Sequence, residues 1–369
     1  DGDQDIVSGN TAGQTLPVYQ VFVQNYVFPT SASGQSGIDS DNGARAAFFG
    51  NGKLYDNVLI RIKGTTSRYL FKRSHRVDFN PGRDFEWSDK YPPQREVNLN
   101  SEYNDPSYLR QNMQLWMHRD SGGAGSPHHP VRLMMNGQNW QLAFHTYSAD
   151  SELVETMGLD PRGALYKQVD QLDTNAGGEK KSRKWEGRSD YTAFKAGIWS
   201  GNSVAAKSLY TFDNINVPAT INYLAVTRIA QEADDVWANM VIYRDSDGTK
   251  EWQPIPFDEN LSFGQLFYGG ISANMTVHAE QDNNKSHPLY GSSTCRPYYA
   301  DRWNRLYDVI IQNPVTREML LRRMRSLTDR YLSTSAATSL PDQRFDTVGA
   351  EIQADADIDR AYWRLPPND

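Results

Sequence analysis

The chain has 369 residues and a mass of 41.8 kDa, more than the roughly 250–300 residues that usually share one hydrophobic core, so we expect two lobes. Its net charge of −7 and its pI near 5.6 argue against nucleic acid as the main partner. No apolar run reaches the roughly 18 residues of a membrane-spanning helix, and the single cysteine, Cys295, excludes an internal disulfide bond and a cysteine-based zinc site.

The first part of the chain is predicted to be rich in β-strands. Residues 1–16 are polar and contain many Gly, Ser and Thr residues, which predicts a flexible N-terminal arm. Alternating apolar residues then predict strands, and an Asn-Gly pair predicts a hairpin turn. These segments are the strands Val18–Phe28, Val58–Ile62 and His75–Phe79 and the turn Asn136–Gly137. A helix that begins near Asp105 interrupts them.

After residue 170 the pattern becomes mainly helical. Residues 172–190 are charged and contain glycines, which predicts a linker or a mobile insertion. Apolar residues at helical spacing predict four helices further along. These are Tyr191–Ile198, Val217–Glu232 and two helices within 301–335. A second hairpin, turned at Asp245–Gly248, is embedded among them.

Together these elements predict an α+β fold with two lobes. The N-lobe, residues 17–170, is β-rich, and the C-lobe, residues 171–369, is mostly helical and includes the second hairpin. The sequence does not indicate an oligomeric state.

The open end of the second hairpin is predicted to hold a metal ion. Asp235 and Asn239 precede its first strand, and its second strand leads to Asp258. Because an antiparallel hairpin brings its outer ends together, we expect these side chains to converge. Two carboxylates and an amide suit Mg²⁺ or Mn²⁺, and protein kinases hold their metal ions on similar residues. The alternative is that Asp258, Asp235 and the adjacent Asp234 only cap turns and helices.

A basic loop between two predicted strands is a candidate phosphate site. A triphosphate needs backbone N–H donors and fixed cations. The candidate donors are Gly64, Thr65, Thr66 and Ser67, and the candidate cations are Lys72, Arg73 and Arg76. Lys167, within the stretch GALYKQVD, is a further candidate cation. The alternatives are a solvated loop with a basic face and a lysine that only extends into solvent.

Other enzyme classes lack their motifs in the sequence. There is no H-E-x-x-H pair for a zinc hydrolase and no G-x-S-x-G elbow for an α/β-hydrolase. The nine Trp and twenty Tyr residues would suit a carbohydrate-binding or carbohydrate-active protein. Core packing explains them equally well, so this alternative ranks last.

Five stretches of the sequence, taken in order, resemble the CotH kinase family, the atypical protein kinases similar to spore coat protein H. They are NVLIRIKGTTSRYLFKRSHRVDF, LNSEYNDPSYLRQNM, VRLMMNGQNWQLAF, GALYKQVD and DVWANMVIYRDSDGTKEWQPIPFDENLSFG, all within residues 18–265. The resemblance implies a kinase-like two-lobed fold that binds ATP between its lobes with Mg²⁺ or Mn²⁺. It also implies transfer of phosphate to Ser or Thr of a protein substrate.

The resemblance also implies roles for individual residues. Asp235 would be the catalytic acid, with Asp234 as the alternative, and Asn239, Asp258 and Asn260 would hold the metal. The implied nucleotide-binding positions are Gly64, Thr65, Thr66, Ser67, Lys72, Arg76 and Lys167.

Two departures from the family pattern bear on activity. The family commonly reads W-D-x-D where this chain has Phe257–Asn260, so an amide replaces the second acid. The family also often has a Glu near the end of the first hairpin, where Tyr147 stands. The loss of carboxylates would weaken metal binding, so the main alternative is a weak or inactive kinase fold that serves as a surface or scaffold protein. The low cysteine content and the start at Asp1 favour a secreted or cell-surface location, and a cytoplasmic location stays open.

Overall fold

The computed structural model describes most of the chain, and the chain divides into two compact units. The described residues are 16–24, 26, 37–65, 67–168, 172, 177–232, 235, 239–263, 304–332, 334–335 and 337–363. Unit 1 comprises Asp1–Leu109, Pro127–Ser148 and Arg344–Asp369, and unit 2 comprises Arg110–Ser126 and Ala149–Gln343. Each unit therefore combines separate stretches of chain, whereas the prediction divides the chain once, near residue 170.

Unit 1 is built on a closed barrel of seven strands in the order β1-β2-β3-β4-β5-β7-β6. Their bounds are β1 Val18–Val23, β2 Ala44–Gly50, β3 Lys53–Lys63, β4 Ser74–Asp78, β5 Glu96–Asn100, β6 His129–Met135 and β7 Gln138–Thr146. Neighbouring strands are antiparallel except β1 and β6, whose parallel pairing closes the barrel. The predicted turn at Asn136–Gly137 is confirmed, and both residues have positive φ, as a type I′ hairpin turn requires.

Aromatic rings fill the barrel of unit 1. Phe48 is fully buried and lies edge-on to Tyr19 and Phe79, with ring centroids 5.3 Å apart in each pair. Phe85 is also fully buried and stacks on Phe79 at 5.3 Å. Edge-to-face and stacked pairs add to the free energy gained by burying apolar area, so the barrel has a packed core.

Unit 2 combines a four-stranded sheet, in the order β11-β10-β8-β9, with most of the helices. The strands are β8 Ala164–Gln168, β9 Glu179–Lys180, β10 Met240–Arg244 and β11 Trp252–Ile255. The described residues contain eight α-helices, α1 Arg110–Asp120, α2 Ser151–Thr156, α3 Ser189–Gly197, α4 Val204–Asn214, α5 Val217–Ile229, α6 Arg305–Ile311, α7 Pro314–Tyr331 and α8 Leu340–Trp363. The predicted α+β fold class is confirmed.

Helix α5 forms the centre of unit 2. The Asn216 side chain caps it by accepting a hydrogen bond of 3.1 Å from Ala219 N, and Pro218 lies in its first turn, where a missing N–H costs nothing. Most residues from Val217 to Arg228 are buried. Helices that are apolar on all sides belong to the interior of a domain, and α5 follows this rule.

The last helix, α8, is held to the barrel by polar contacts within unit 1. The Asp355 carboxylate accepts two hydrogen bonds from the Arg132 guanidinium, at 2.5 and 3.0 Å. The indole N–H of Trp363 donates to the carbonyl oxygen of Trp140 at 2.9 Å. Among the described residues, no helix is long and apolar enough to cross a membrane.

Candidate functional site

The open end of the second hairpin brings together four of the predicted site residues. Val241 of β10 pairs with Ile255 of β11 on one side and with Lys167 of β8 on the other. Asn239 lies two residues before Val241, and Asp258 lies three residues after Ile255. Antiparallel register therefore places them at the same end of the sheet as Lys167. We call this group, Lys167, Asn239 and Phe257–Asn260, the hairpin end.

The backbone of the hairpin end has an uncommon conformation at two positions. Asn239 has φ of 52° and Asp258 has φ of 63°. Only a few per cent of non-glycine residues have φ in this left-handed region, and Asn and Asp are enriched among them. Nine other non-glycine residues of the described chain also have positive φ. Both side chains are half-buried, and no described residue donates a hydrogen bond to the Asp258 carboxylate. These oxygen atoms fit the ligand preferences of Mg²⁺ and Mn²⁺.

Lys167 places a cation at the hairpin end. Its ammonium lies 4.4 Å from the ring centroid of Phe257, within the range of a cation–π interaction. The side chain is half-buried. Phe257 directly precedes Asp258, so the ring contact orients the lysine toward the same short segment as the candidate metal ligand.

Glu259 is buried beside Asp258 and has both carboxylate oxygens engaged. One oxygen accepts a hydrogen bond of 3.0 Å from Phe257 N, and the other accepts one from the Gln114 side chain of α1. Burial raises the pKa of Glu259 well above its usual value, and the charges of Asp235 and Asp258 raise the same pKa further. The charges of both aspartates therefore act on the same buried carboxyl group.

Asp235 is also buried, and its carboxylate is fully occupied. Arg228, at the end of α5, donates to one oxygen at 2.5 Å, and the Tyr307 hydroxyl of α6 donates to the other. The Asn304 side chain donates to the backbone carbonyl of Asp235 at 3.3 Å. Only 3% of Asp235 is exposed, so it lies beneath the surface of the unit. The neighbouring candidate, Asp234, lies outside the described residues.

Gly64 of unit 1 has a backbone conformation that favours glycine. Gly64 has φ of 97°, and a Cβ at this position would collide with the Ser67 hydroxyl, so only glycine fits. The Arg68 guanidinium donates to the Gly64 carbonyl at 2.8 Å and makes a two-pronged ion pair with Asp41. Thr65 and Ser67 belong to the described residues, and Thr66 does not.

Lys72 is fully buried, and its three ammonium donors are engaged within unit 1. They reach the carbonyl oxygens of Ser101 and Leu142 and the carboxylate of Asp359 in α8, each at 2.7 Å. Asp359 also accepts from the Tyr108 hydroxyl at 2.8 Å. Burial lowers the pKa of Lys72, and the Asp359 charge opposes that shift. An ammonium has three donors, so none remains for a phosphate in this arrangement.

The other predicted cations of unit 1 also have acidic partners. Arg73 is buried and lies 3.2 Å from a carboxylate oxygen of Asp39. Arg76 is half-buried and pairs with Asp78 at 2.7 Å and with Glu96 at 2.9 Å. Its partial exposure leaves Arg76 more accessible than the other two.

Tyr147, one of the two departures from the family pattern, is part of the interior of unit 1. It is buried, and its hydroxyl accepts a hydrogen bond of 3.1 Å from the Trp87 indole N–H. Asn260, the other departure, is half-buried at the hairpin end. In the part of the chain that the structure describes, no three His, Cys, Asp or Glu side chains are grouped as a metal site. Because both oxygens of Glu259 are engaged, the hairpin end supplies one further carboxylate, from Asp258, and two amides, from Asn239 and Asn260.

Sequence reasoning does not identify four residues that surround the site, Gln114, Arg228, Glu259 and Tyr307. Glu259 could have been found from the sequence, because it lies between two predicted metal ligands and is a charged residue after an apolar stretch. Arg228 lies near the C-terminal end of α5, seven residues before Asp235. Tyr307 lies 72 residues after Asp235. No local pattern connects residues at such separations.

Two comparisons with known proteins extend these observations. A family model described as CotH kinase protein matches residues 60–362. The chain is 24% identical over 333 residues to Inner spore coat protein H of Bacillus subtilis (strain 168), which covers 85% of this chain and 86% of the relative. The family match includes the basic loop and the hairpin end.

Proposed function

Because the chain belongs to the CotH kinase family, we propose that it is a metal-dependent phosphotransferase. It moves the γ-phosphate of ATP to a Ser or Thr hydroxyl of a protein substrate. The observation that carries the proposal is the hairpin end, where Asp258 and Asn239 lie together in left-handed backbone conformations. The Asp258 carboxylate is half-buried, and among the described residues none donates a hydrogen bond to it.

The metal would be held by Asp258, Asn239 and Asn260. These residues supply the oxygen ligands that Mg²⁺ and Mn²⁺ prefer. A bound metal ion would neutralise part of the phosphate charge as the phosphoryl group leaves ATP. One carboxylate among three ligands makes a weaker site than the two acids of the family pattern, so we expect the chain to need a high metal concentration.

Asp234 is the better candidate for the acid that receives the proton of the acceptor hydroxyl. It precedes Asn239 by five residues, the spacing between the catalytic Asp and the metal-binding Asn in protein kinase loops. Asp235 precedes Asn239 by four residues, and its two oxygens accept hydrogen bonds from Arg228 and Tyr307. A carboxylate so occupied is poorly placed to accept another proton.

Lys167 is the cation that we assign to the phosphates. It belongs to the same unit as Asp258, and its ammonium is held against the Phe257 ring. Arg76 and residues 64–67, which belong to unit 1, stay predictions for phosphate contact. Lys72 does not, because its donors serve Ser101, Leu142 and Asp359.

The proposal is tested by comparing Asp258→Ala with Asp247→Ala. Asp247 lies in the turn at the other end of the same hairpin, where it pairs with Arg183 at 3.0 Å, so it is a matched control. Phosphate transfer from radiolabelled ATP to dephosphorylated casein, and to the chain itself, is measured with Mn²⁺ and with Mg²⁺. We expect Asp258→Ala to lose at least about 100-fold in transfer while its circular dichroism stays unchanged. Equal activity in both variants would contradict the proposal.

A second candidate function is that of a non-catalytic surface or coat protein on a kinase fold. Two observations favour it, the burial of Lys72 in an internal ion pair and the amide of Asn260 where the family has an acid. The similarity to a protein named for the inner spore coat supports a location at the cell surface or in the spore coat for either function. A thermal-shift titration with ATP and either metal distinguishes the two, because the coat protein would show no shift.

A further inference from the structure

A buried layer of polar side chains lies in unit 2 next to the hairpin end, and the proposed mechanism does not use it. It consists of Arg228, Asp235, Tyr307, Gln114 and Glu259, each buried. We propose that Asp235 and Glu259 are positioning residues, which hold the two chain segments that carry Asn239 and Asp258. The inference rests on the proposed function and adds to it the reason why the segments keep their uncommon conformations.

Glu259 holds the segment of Asp258. Its carboxylate accepts a hydrogen bond from Phe257 N, two residues earlier, so the chain folds back on itself around Asp258. Asp258 lies within this closed loop and has φ of 63°. Gln114 of α1 donates to the other oxygen and fixes the carboxylate to a helix, and the Ser262 hydroxyl donates to the Glu259 carbonyl at 3.1 Å.

Asp235 holds the segment of Asn239. Its carboxylate links the end of α5, through Arg228, to α6, through Tyr307, and Asn304 binds its backbone carbonyl. The Arg228 guanidinium also lies 4.8 Å from the Tyr307 ring centroid and donates to the Tyr307 hydroxyl at 2.5 Å. Four residues later the chain reaches Asn239 and enters β10. Asp235 is thus held in place four residues before Asn239.

Burial distinguishes positioning from catalysis for these two acids. Asp235 is 3% exposed and Glu259 is 1% exposed, and every carboxylate oxygen of the pair has an internal donor. A residue that contacts substrate needs an accessible atom, and the half-buried Asp258 meets that condition. Residues that orient metal ligands typically change metal affinity or activity by about 10- to 100-fold when they are replaced.

We call Arg228, Asp235 and Tyr307 the Asp235 cluster, and unit 2 contains a matched control for it. At Asp120, the last residue of α1, Arg330 donates two hydrogen bonds to the carboxylate, and the Tyr331 hydroxyl donates to it at 2.7 Å. The residue types are the same as in the Asp235 cluster, but this carboxylate belongs to a helix end that carries none of the candidate ligands. Tyr331→Phe therefore removes an equivalent hydrogen bond without changing the hairpin end.

The experiment compares Tyr307→Phe with Tyr331→Phe in the full chain. Mn²⁺ affinity is measured by electron paramagnetic resonance, and kcat and KM for Mn²⁺–ATP are measured with casein as acceptor. We expect Tyr307→Phe to lower Mn²⁺ affinity and kcat by about 10- to 100-fold, with a smaller change in KM. Tyr331→Phe should leave all three within about twofold of wild type. Equal values for the two variants would overturn the positioning role of Asp235.

Glu259 is tested by rescue with a conservative variant. The Glu259→Gln side chain keeps an oxygen that can accept from Phe257 N, whereas Glu259→Ala has none. We expect Glu259→Ala to lose Mn²⁺ affinity by about 10- to 100-fold and Glu259→Gln to retain most of it. Equal losses in both would overturn the positioning role of Glu259.

The same measurements separate this inference from the proposed function. If the wild-type chain binds Mn²⁺ and Asp258→Ala does not, the proposed metal site stands, and the Tyr307 and Glu259 variants decide the positioning role alone. If Asp258→Ala binds Mn²⁺ as well as wild type does, the metal site is wrong, and the positioning roles are overturned with it.

Discussion

The basic loop of unit 1, residues 63–76, and the hairpin end of unit 2 both concentrate charged side chains, but these side chains have different surroundings. In the loop, Lys72 is buried against Asp359, and Arg76 pairs with two acidic residues. At the hairpin end, the Asp258 carboxylate is half-buried and receives no hydrogen bond from the described residues. A charge that is neutralised inside its own unit serves the fold, whereas a charge without such a partner can serve a ligand.

This difference shows that residue type alone does not locate a phosphate site. Both regions have the composition that phosphate chemistry requires, and only the partners distinguish them. Lys72 has every donor satisfied by groups of unit 1, including one from α8. The comparison can be tested by changing each region and measuring stability separately from nucleotide binding.

Lys72→Met should produce the largest loss of stability. It leaves the buried Asp359 carboxylate without its cation, and breaking one side of a buried ion pair costs about 3–5 kcal/mol in the free energy of unfolding. Urea denaturation measures the loss. The double variant Lys72→Met with Asp359→Leu should recover part of it, because no unpaired charge remains, while the Tyr108 hydroxyl and Leu142 N lose their acceptor. If Lys72→Met keeps wild-type stability but no longer binds ATP, then Lys72 serves the nucleotide and not the fold, and the prediction is wrong.

Acid should weaken unit 2 through His118. This residue is buried in α1 against the Tyr223 ring, and burial lowers the pKa of His118 to about 3. The unfolded chain takes up a proton near pH 6.5 and the folded chain does not, so stability falls as the pH decreases from 6.5 toward 3. At pH 5 the expected cost is about 2 kcal/mol relative to pH 7. Denaturation of His118→Gln at both pH values should show a smaller difference, and an unchanged difference would contradict the assignment.

Gly64→Ala should destabilise the basic loop by about 1–3 kcal/mol. The alanine has to adopt a φ near 97°, and its Cβ also collides with the Ser67 hydroxyl. Gly52→Ala is the control, because Gly52 has φ of 73° and open space around it. The difference in thermal stability between the two variants isolates the collision. If the two variants are equally stable, the turn is not held as tightly as the Ser67 contact indicates.

Arg76→Gln should have the smallest effect on stability. Its ion pairs are half-exposed, and such pairs contribute less than about 1 kcal/mol. Binding of Mn²⁺–ATP to this variant can therefore be measured on a folded protein. If Arg76 contacts phosphate, KM for ATP should rise about tenfold. An unchanged KM would show that Arg76 does not contact phosphate.

Several features of the fold follow from short stretches of sequence. The Asn136–Gly137 turn and the start of α5 at Val217 were predicted from residues within a few positions of each element. The hairpin that contains Asp258 was also predicted, and its register brings Asn239 to the same end. The barrel was not predicted, because its closure depends on a parallel pairing of β1 with β6, over 100 residues away in the chain.

The sequence by itself determined several of the strands, the two hairpin turns, the start of the helix at Val217 and the family, because these depend on neighbouring residues or on motifs in a given order. The tertiary structure alone decided how the charged residues are used. The partner of Lys72 lies 287 residues away in α8, and Tyr307 lies 72 residues from Asp235. Burial and pairing of a charge depend on contacts between distant segments, and no local pattern in the sequence records those contacts.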